Sequence, residues 1–136
     1  METALCLCFI VLPLVFATIA YAYMLSFRQT VSQSAAEGAR IAAVAPSTAS
    51  DADRKAAAIK AASQSMDTGV GDLKCNEGSL TCTAVMVPGC EDGSTATCVK
   101  VTISYPYRDK SLLPTIPGLG FTLPKTISYA AMVQVS

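Results

Sequence analysis

From Thr3 to Phe27 the chain carries no charged residue, and its apolar positions surround a helix instead of marking one face. The centre of this run is Ala4-Leu5-Cys6-Leu7-Cys8-Phe9-Ile10-Val11-Leu12-Pro13-Leu14-Val15-Phe16. As a helix rising ~1.5 Å per residue the stretch is about 37 Å long, against a bilayer hydrocarbon core of ~30 Å. The pattern predicts a membrane span over residues 3–27, with Tyr21 and Tyr23 near a headgroup boundary that suits amphipathic rings.

The helical signal continues beyond the span while the residues become small and polar, and nothing breaks it before Pro46. Phe27, Val31, Ala35, Gly38 and Ala42 recur at three- and four-residue spacing and form a narrow stripe. Its small side chains would let another helix approach closely. The stripe either covers the protein's own sheet, or meets a neighbouring molecule, or does both. This divides the chain into an amino-terminal helix over 1–45 and a head over 46–136.

Ser50 with Asp53 has capping-box spacing, and Asp51 and Asp53 place anions in a first turn, so a second helix starts there. Ala56, Ile59, Ala62, Ser63 and Met66 give it a weakly apolar face, and Gly69 or Gly71 ends it. From Asp72 the period changes to two. Leu73–Cys75 and Leu80–Val87 flank Asn76-Glu77-Gly78-Ser79 as the two arms of a hairpin. Val99, Val101, Ile103 and Tyr105 alternate with Lys100, Thr102 and Ser104, which predicts a half-buried central strand. Ile127, Tyr129, Ala131, Val133 and Val135 share one side of a last strand. The segment Pro106 to Lys125, with four prolines and two glycines, is irregular. Its Leu112, Leu113, Ile116, Leu119, Phe121 and Leu123 are expected to pack on the head, with a partner subunit or the membrane surface as the other ways to cover them. The predicted class is α+β: a long membrane-spanning and then amphipathic helix, a second short helix, and an antiparallel sheet of three or four strands.

Six cysteines change this picture. Cys6 and Cys8 lie inside the apolar run on nearly opposite sides of a helix and read as small hydrophobes. Cys75, Cys82, Cys90 and Cys98 fall in a small head, where an even number argues for two disulfides and an oxidising compartment. A Cys75–Cys82 bridge would staple the hairpin and Cys90–Cys98 would close a loop, with other pairings open. A zinc site lacks any closely spaced pair, so no metal is expected. No catalytic set or phosphate loop is present, and histidine is absent. No enzyme activity and no cofactor are therefore expected. A formal net charge of zero without a basic run makes nucleic acid and acidic membrane surfaces poor partners.

Orientation is read two ways. Arg28 and Arg40 follow the span and by the positive-inside tendency would hold the head in the cytoplasm, whereas the disulfides place it outside. Both fit if a basic leader precedes Met1 and is removed; Ala20-Tyr21-Ala22 as a signal-peptide cleavage site is the rival.

Glu2-Thr3-Ala4-Leu5, Val11-Leu12-Pro13-Leu14 and Ala35-Ala36-Glu37-Gly38-Ala39-Arg40-Ile41-Ala42-Ala43 together resemble the TadE-like pseudopilins, minor pilins of the Tad branch of type IV pili. Val101-Thr102-Ile103-Ser104-Tyr105-Pro106 and Ile127-Ser128-Tyr129-Ala130-Ala131 look similar too. The resemblance implies processing by a prepilin peptidase, membrane insertion, and extraction by an assembly platform into a filament centred on these helices. Its partners would be other pilin subunits and the membrane through residues 3–27. The head would be extracytoplasmic in a single-pass membrane protein, and extracellular once assembled. Glu2 resembles the acidic residue that compensates a neighbouring subunit's terminal amine; in pilins it is usually fifth in the mature chain, so Glu2 implies residues ahead of Met1 or a departure from that pairing. Pro13 would loosen the span for repacking. The assembly residues are then Glu2, Pro13, Phe27, Val31, Ala35, Gly38 and Ala42. The alternative is a membrane-anchored extracytoplasmic binding module that does not polymerise.

Overall fold

The computed structural model describes residues 2–70, 72–91, 93–110, 112 and 123–135, the side chains of Glu2 and Val70 excepted. Helix α1 (Glu2–Val44) runs unbroken through Pro13 and ends at the Pro46 turn. Helix α2 (Asp51–Val70) begins at the expected cap. The Asp53 amide donates to Ser50 Oγ at 3.2 Å, and the Ser50 amide and hydroxyl donate to Asp53 Oδ2 at 3.3 and 2.7 Å. Strands β1 (Thr81–Pro88), β2 (Thr97–Tyr105) and β3 (Ile127–Val135) form one antiparallel sheet in the order β1-β2-β3. β2 is central, as its alternation predicts.

Both helices lie on one face of this sheet. α2 runs back along α1, with Gly38 against Ala58 and Ala62, and with Ser34 and Ser65 bonded through their hydroxyls at 3.0 Å. The core has two lobes. Near the start of the head, Met24, Phe27, Val31 and Ala35 of α1 meet Met66, Leu80, Ile103, Tyr105, Tyr107 and Ile127. Towards the far end, small Ala39, Ala42 and Ala58 pack against Val99, Val101 and Val135. Alanine and glycine on the helices bring the backbones close enough for valines alone to fill the gap. Burying each of those valines contributes on the order of 1.5–3 kcal/mol.

The two disulfides pair Cys75 with Cys82 and Cys90 with Cys98, Cα atoms 5.3 and 5.0 Å apart. Each closes a short loop, which in the chain-entropy account stabilises a small head by roughly 2–3 kcal/mol. The hairpin expected at Leu73–Cys75 does not form, because local bonds take its backbone. The Cys75 amide donates to Ser63 Oγ at 3.1 Å, the Asn76 amide to the Leu80 carbonyl at 2.9 Å, and the Cys82 amide to Asn76 Oδ1 at 3.1 Å. Asn76 takes a left-handed φ of 61°, which its short polar side chain tolerates. Among the described residues the sheet therefore has three strands.

Helix α2 is rotated from the expected face. Arg54, Ala58, Ala62 and Met66 are buried, Ile59 and Ser63 are half-buried, and Ala56 is exposed. Leu112 and Leu123 pack against the first core lobe. Leu113, Ile116, Leu119 and Phe121 lie outside the described residues.

Candidate assembly surface

The sequence of α1 makes two different objects of one helix. From Met24 onward every third or fourth side chain turns into the head. Before it, the leucines, phenylalanines and valines have no protein to meet: the most apolar window is 0% buried, and Phe9 is 82% exposed. The unpacked part covers residues 3–23, 21 in all, or about 31 Å of rod. That matches the ~30 Å of hydrocarbon in a bilayer. The helix is long and apolar enough to cross a membrane.

Five of the predicted assembly residues turn into the head. Phe27 is 2% exposed, and Val31, Ala35 and Ala42 are equally shut away in the head's own core. Gly38 is buried too, held where a Cβ would stand 2.8 Å from the Ala58 carbonyl oxygen. Intramolecular packing therefore uses the whole stripe. A neighbour approaching this half of α1 meets the opposite face, which carries Arg28, Gln29, Ser32, Gln33, Ala36 and Arg40. Pro13 sits within the exposed rod, and Glu2 at its tip. A proline there leaves one helical bond unmade.

On the outward face Arg40 donates to Glu37 from Nε and Nη2, each at 3.1 Å. This hydrogen bond, more than the charge attraction, holds the Glu37 carboxyl below its ordinary range. The pair lies in water, where such contacts add little to stability. A groove of about 510 Å³ runs beside it, between Leu25, Arg28, Gln29, Ser32 and Gln33 of α1 and Tyr129 of β3. A second groove, about 560 Å³ and wholly apolar, lies on the rod among Leu7, Cys8, Val11, Leu12, Val15 and Phe16.

Sequence reasoning missed two residues that hold the rod to the head. Arg54 is buried on α2 and donates to the Ala42 and Pro46 carbonyls at 3.3 and 3.0 Å, so a cation closes the carboxyl end of α1. Tyr107 lies in the segment read only as irregular, yet it is fully buried with its ring 5.6 Å from Phe27. Tyr105 stands at 5.2 Å from the same ring. Neither carried a periodic signal. Among the described residues no cluster of metal-ligating side chains occurs.

A free apolar rod, long enough to cross a membrane, is continuous with the spine of a small cross-linked α+β head. A family model described as TadE-like protein matches residues 1–40, which is the rod together with most of the head-packed half of α1. The similarity read from the motifs is thus shown over the helix. No curated protein and no solved structure matches significantly.

Proposed function

We propose that this chain is a structural, pilin-like subunit that assembles through its amino-terminal rod into a Tad-type pilus filament. The observation that carries the reading is the rod itself. Twenty-one residues of apolar helix, unmatched by anything in the head, need either lipid or other helices around them. A subunit of this build passes from the first environment to the second without refolding its head. Before assembly it is a single-pass membrane protein whose disulfide-stapled head stands on the extracytoplasmic side; afterwards the head is extracellular.

A prepilin peptidase and an assembly platform are the partners this route requires, with other pilin subunits as the lasting ones. Glu2 would neutralise a neighbour's terminal amine inside the apolar filament, where an ionised carboxylate without a partner is costly. The role is structural and not catalytic. The test is a chromosomal Glu2→Ala variant compared with the unaltered chain in sheared extracellular filaments and in membranes. The expected result is wild-type abundance in the membrane and loss from the sheared fraction. Finding the unaltered chain only as a membrane monomer would instead favour a tethered binding module.

A further inference from the structure

The zero net charge of the chain conceals a local imbalance where the head meets the rod. The described ends of the segment joining β2 to β3 are tied together there by their own polar groups. The Arg108 amide donates to the Lys125 carbonyl at 3.3 Å, and the Arg108 guanidinium donates to the Leu123 carbonyl from Nε at 3.2 Å and Nη2 at 2.6 Å. The Tyr105 hydroxyl donates to the Lys110 carbonyl at 2.7 Å. Lys110 and Lys125 are thereby brought to one end of the head, both exposed.

The level of this end along α1 is fixed by the core. Tyr105, Tyr107 and Ile127 share a cluster with Met24 and Phe27, the first positions of α1 to be buried, and Leu112 and Leu123 pack behind them. Arg28 is exposed on the next position of the helix. The only acidic residue in the segment is Asp109, and residues 111–124 carry no charge. Other acids reach this end of the head only at the opposite edge of the sheet, where Lys74 stands among them. Asp67 belongs to the turn of α2 that abuts Thr30, about 10 Å along the axis from Tyr23. Asp72 and Glu77 lead into β1, the edge of the sheet away from β3.

We propose that Arg28, Lys110 and Lys125 form a basic lip that lies on the membrane surface when residues 3–23 are inserted, and that it binds the phosphates of acidic phospholipids. The rod decides the partner. A span of about 31 Å fills the hydrocarbon, so Met24 to Arg28 emerge in the headgroup layer and carry the lip with them. Every inserted molecule meets lipid phosphate at that depth, whereas an acidic protein surface would have to be brought there. Each basic side chain gains from an acidic leaflet within a Debye length. Such a lip holds the unassembled subunit upright against the bilayer and must let go when the rod is withdrawn.

The inference rests on the membrane-anchored part of the proposed function and not on polymerisation. The test reconstitutes the full chain in vesicles of phosphatidylcholine alone or mixed with phosphatidylglycerol, and follows acetylation of lysines by a water-soluble amine reagent with mass spectrometry. Lys110 and Lys125 should react about fivefold more slowly in the acidic vesicles, the factor for one basic group at an acidic surface. Lys60, exposed on α2, should react equally in both, and high salt should abolish the difference. Equal rates for Lys110 and Lys125 in both vesicles, with the chain retained after alkaline extraction, overturn the lip. Equal protection in both vesicles points to an acidic protein neighbour and overturns it as well. Release of the chain by alkali refutes the anchor on which it depends.

Discussion

Replacing Gly38 by alanine sets two effects of similar size against each other. Alanine is the better helix former by about 1 kcal/mol at an interior position, which favours the variant. The added Cβ, however, would stand 2.8 Å from the Ala58 carbonyl oxygen, 3.2 Å from Ala62 Cβ and 3.3 Å from Val101 Cγ1. Comfortable contact for carbon needs roughly 3.5 Å. The nearest obstacle is backbone, which cannot rotate aside, so α2 must back away from α1 and loosen the alanine-valine lobe beneath it. Overpacking of this kind costs about 1–3 kcal/mol, and strain therefore wins by about 1 kcal/mol. For a head of this size that lowers Tm by about 5 °C. Gly69→Ala is the control. Its Cβ would meet the Thr30 side-chain methyl and no backbone; Thr30 can move to its second helical rotamer at the cost of its bond to the Ser26 carbonyl, about 1 kcal/mol, so the loss should be smaller. Thermal melts of both variants in detergent micelles, followed by far-ultraviolet circular dichroism, decide the matter. A Gly38→Ala chain as stable as the parent, or less damaged than Gly69→Ala, would refute the close approach of the two helices.

Two further outcomes follow from the head's polar and aromatic anchors. Arg54→Met should lower stability by about 3 kcal/mol, because two carbonyls at the end of α1 lose a charged donor, and Arg54→Lys should recover only part of it; denaturant midpoints measure both. Burial, with Tyr23 nearby as a lesser cause, holds the Tyr105 and Tyr107 phenols above their ordinary pKa. A folded-state pKa raised in this way leaves stability intact below about pH 10 and removes it as pH climbs through the raised value. Tyr107→Phe should therefore move the alkaline unfolding midpoint to higher pH, and an unmoved midpoint would contradict the assignment.

The parts of this fold that announce themselves in the sequence are those governed by neighbours along the chain. The Ser50–Asp53 cap, the stop at Pro46, the long apolar helix and the alternation of Val99 to Tyr105 each rest on neighbours along the chain, and each appears as expected. The Leu73–Cys75 strand fails because alternation over three residues is weaker than the turn chemistry of Asn76, whose side chain and backbone bind the chain on both sides. The stripe from Phe27 to Ala42 was legible as a contact surface, but periodicity carries no label for what it contacts. Only the folded head shows that the sheet and α2 occupy it. Arg54 and Tyr107 depend on partners brought together by the turn after α1 and by the β2–β3 connection. The proposed basic lip is invisible to net charge for the same reason, since Arg28 and Lys125 are far apart in sequence and share one end of the head only in the fold.

The unbroken course of α1 has a mechanical consequence. Beyond Pro13, a pull on the oily end is delivered along one continuous helix into the head, with no loop between the two. The load arrives between layers held by Arg54 and the packed valines, so the shaft cannot be drawn out without opening the core it supports.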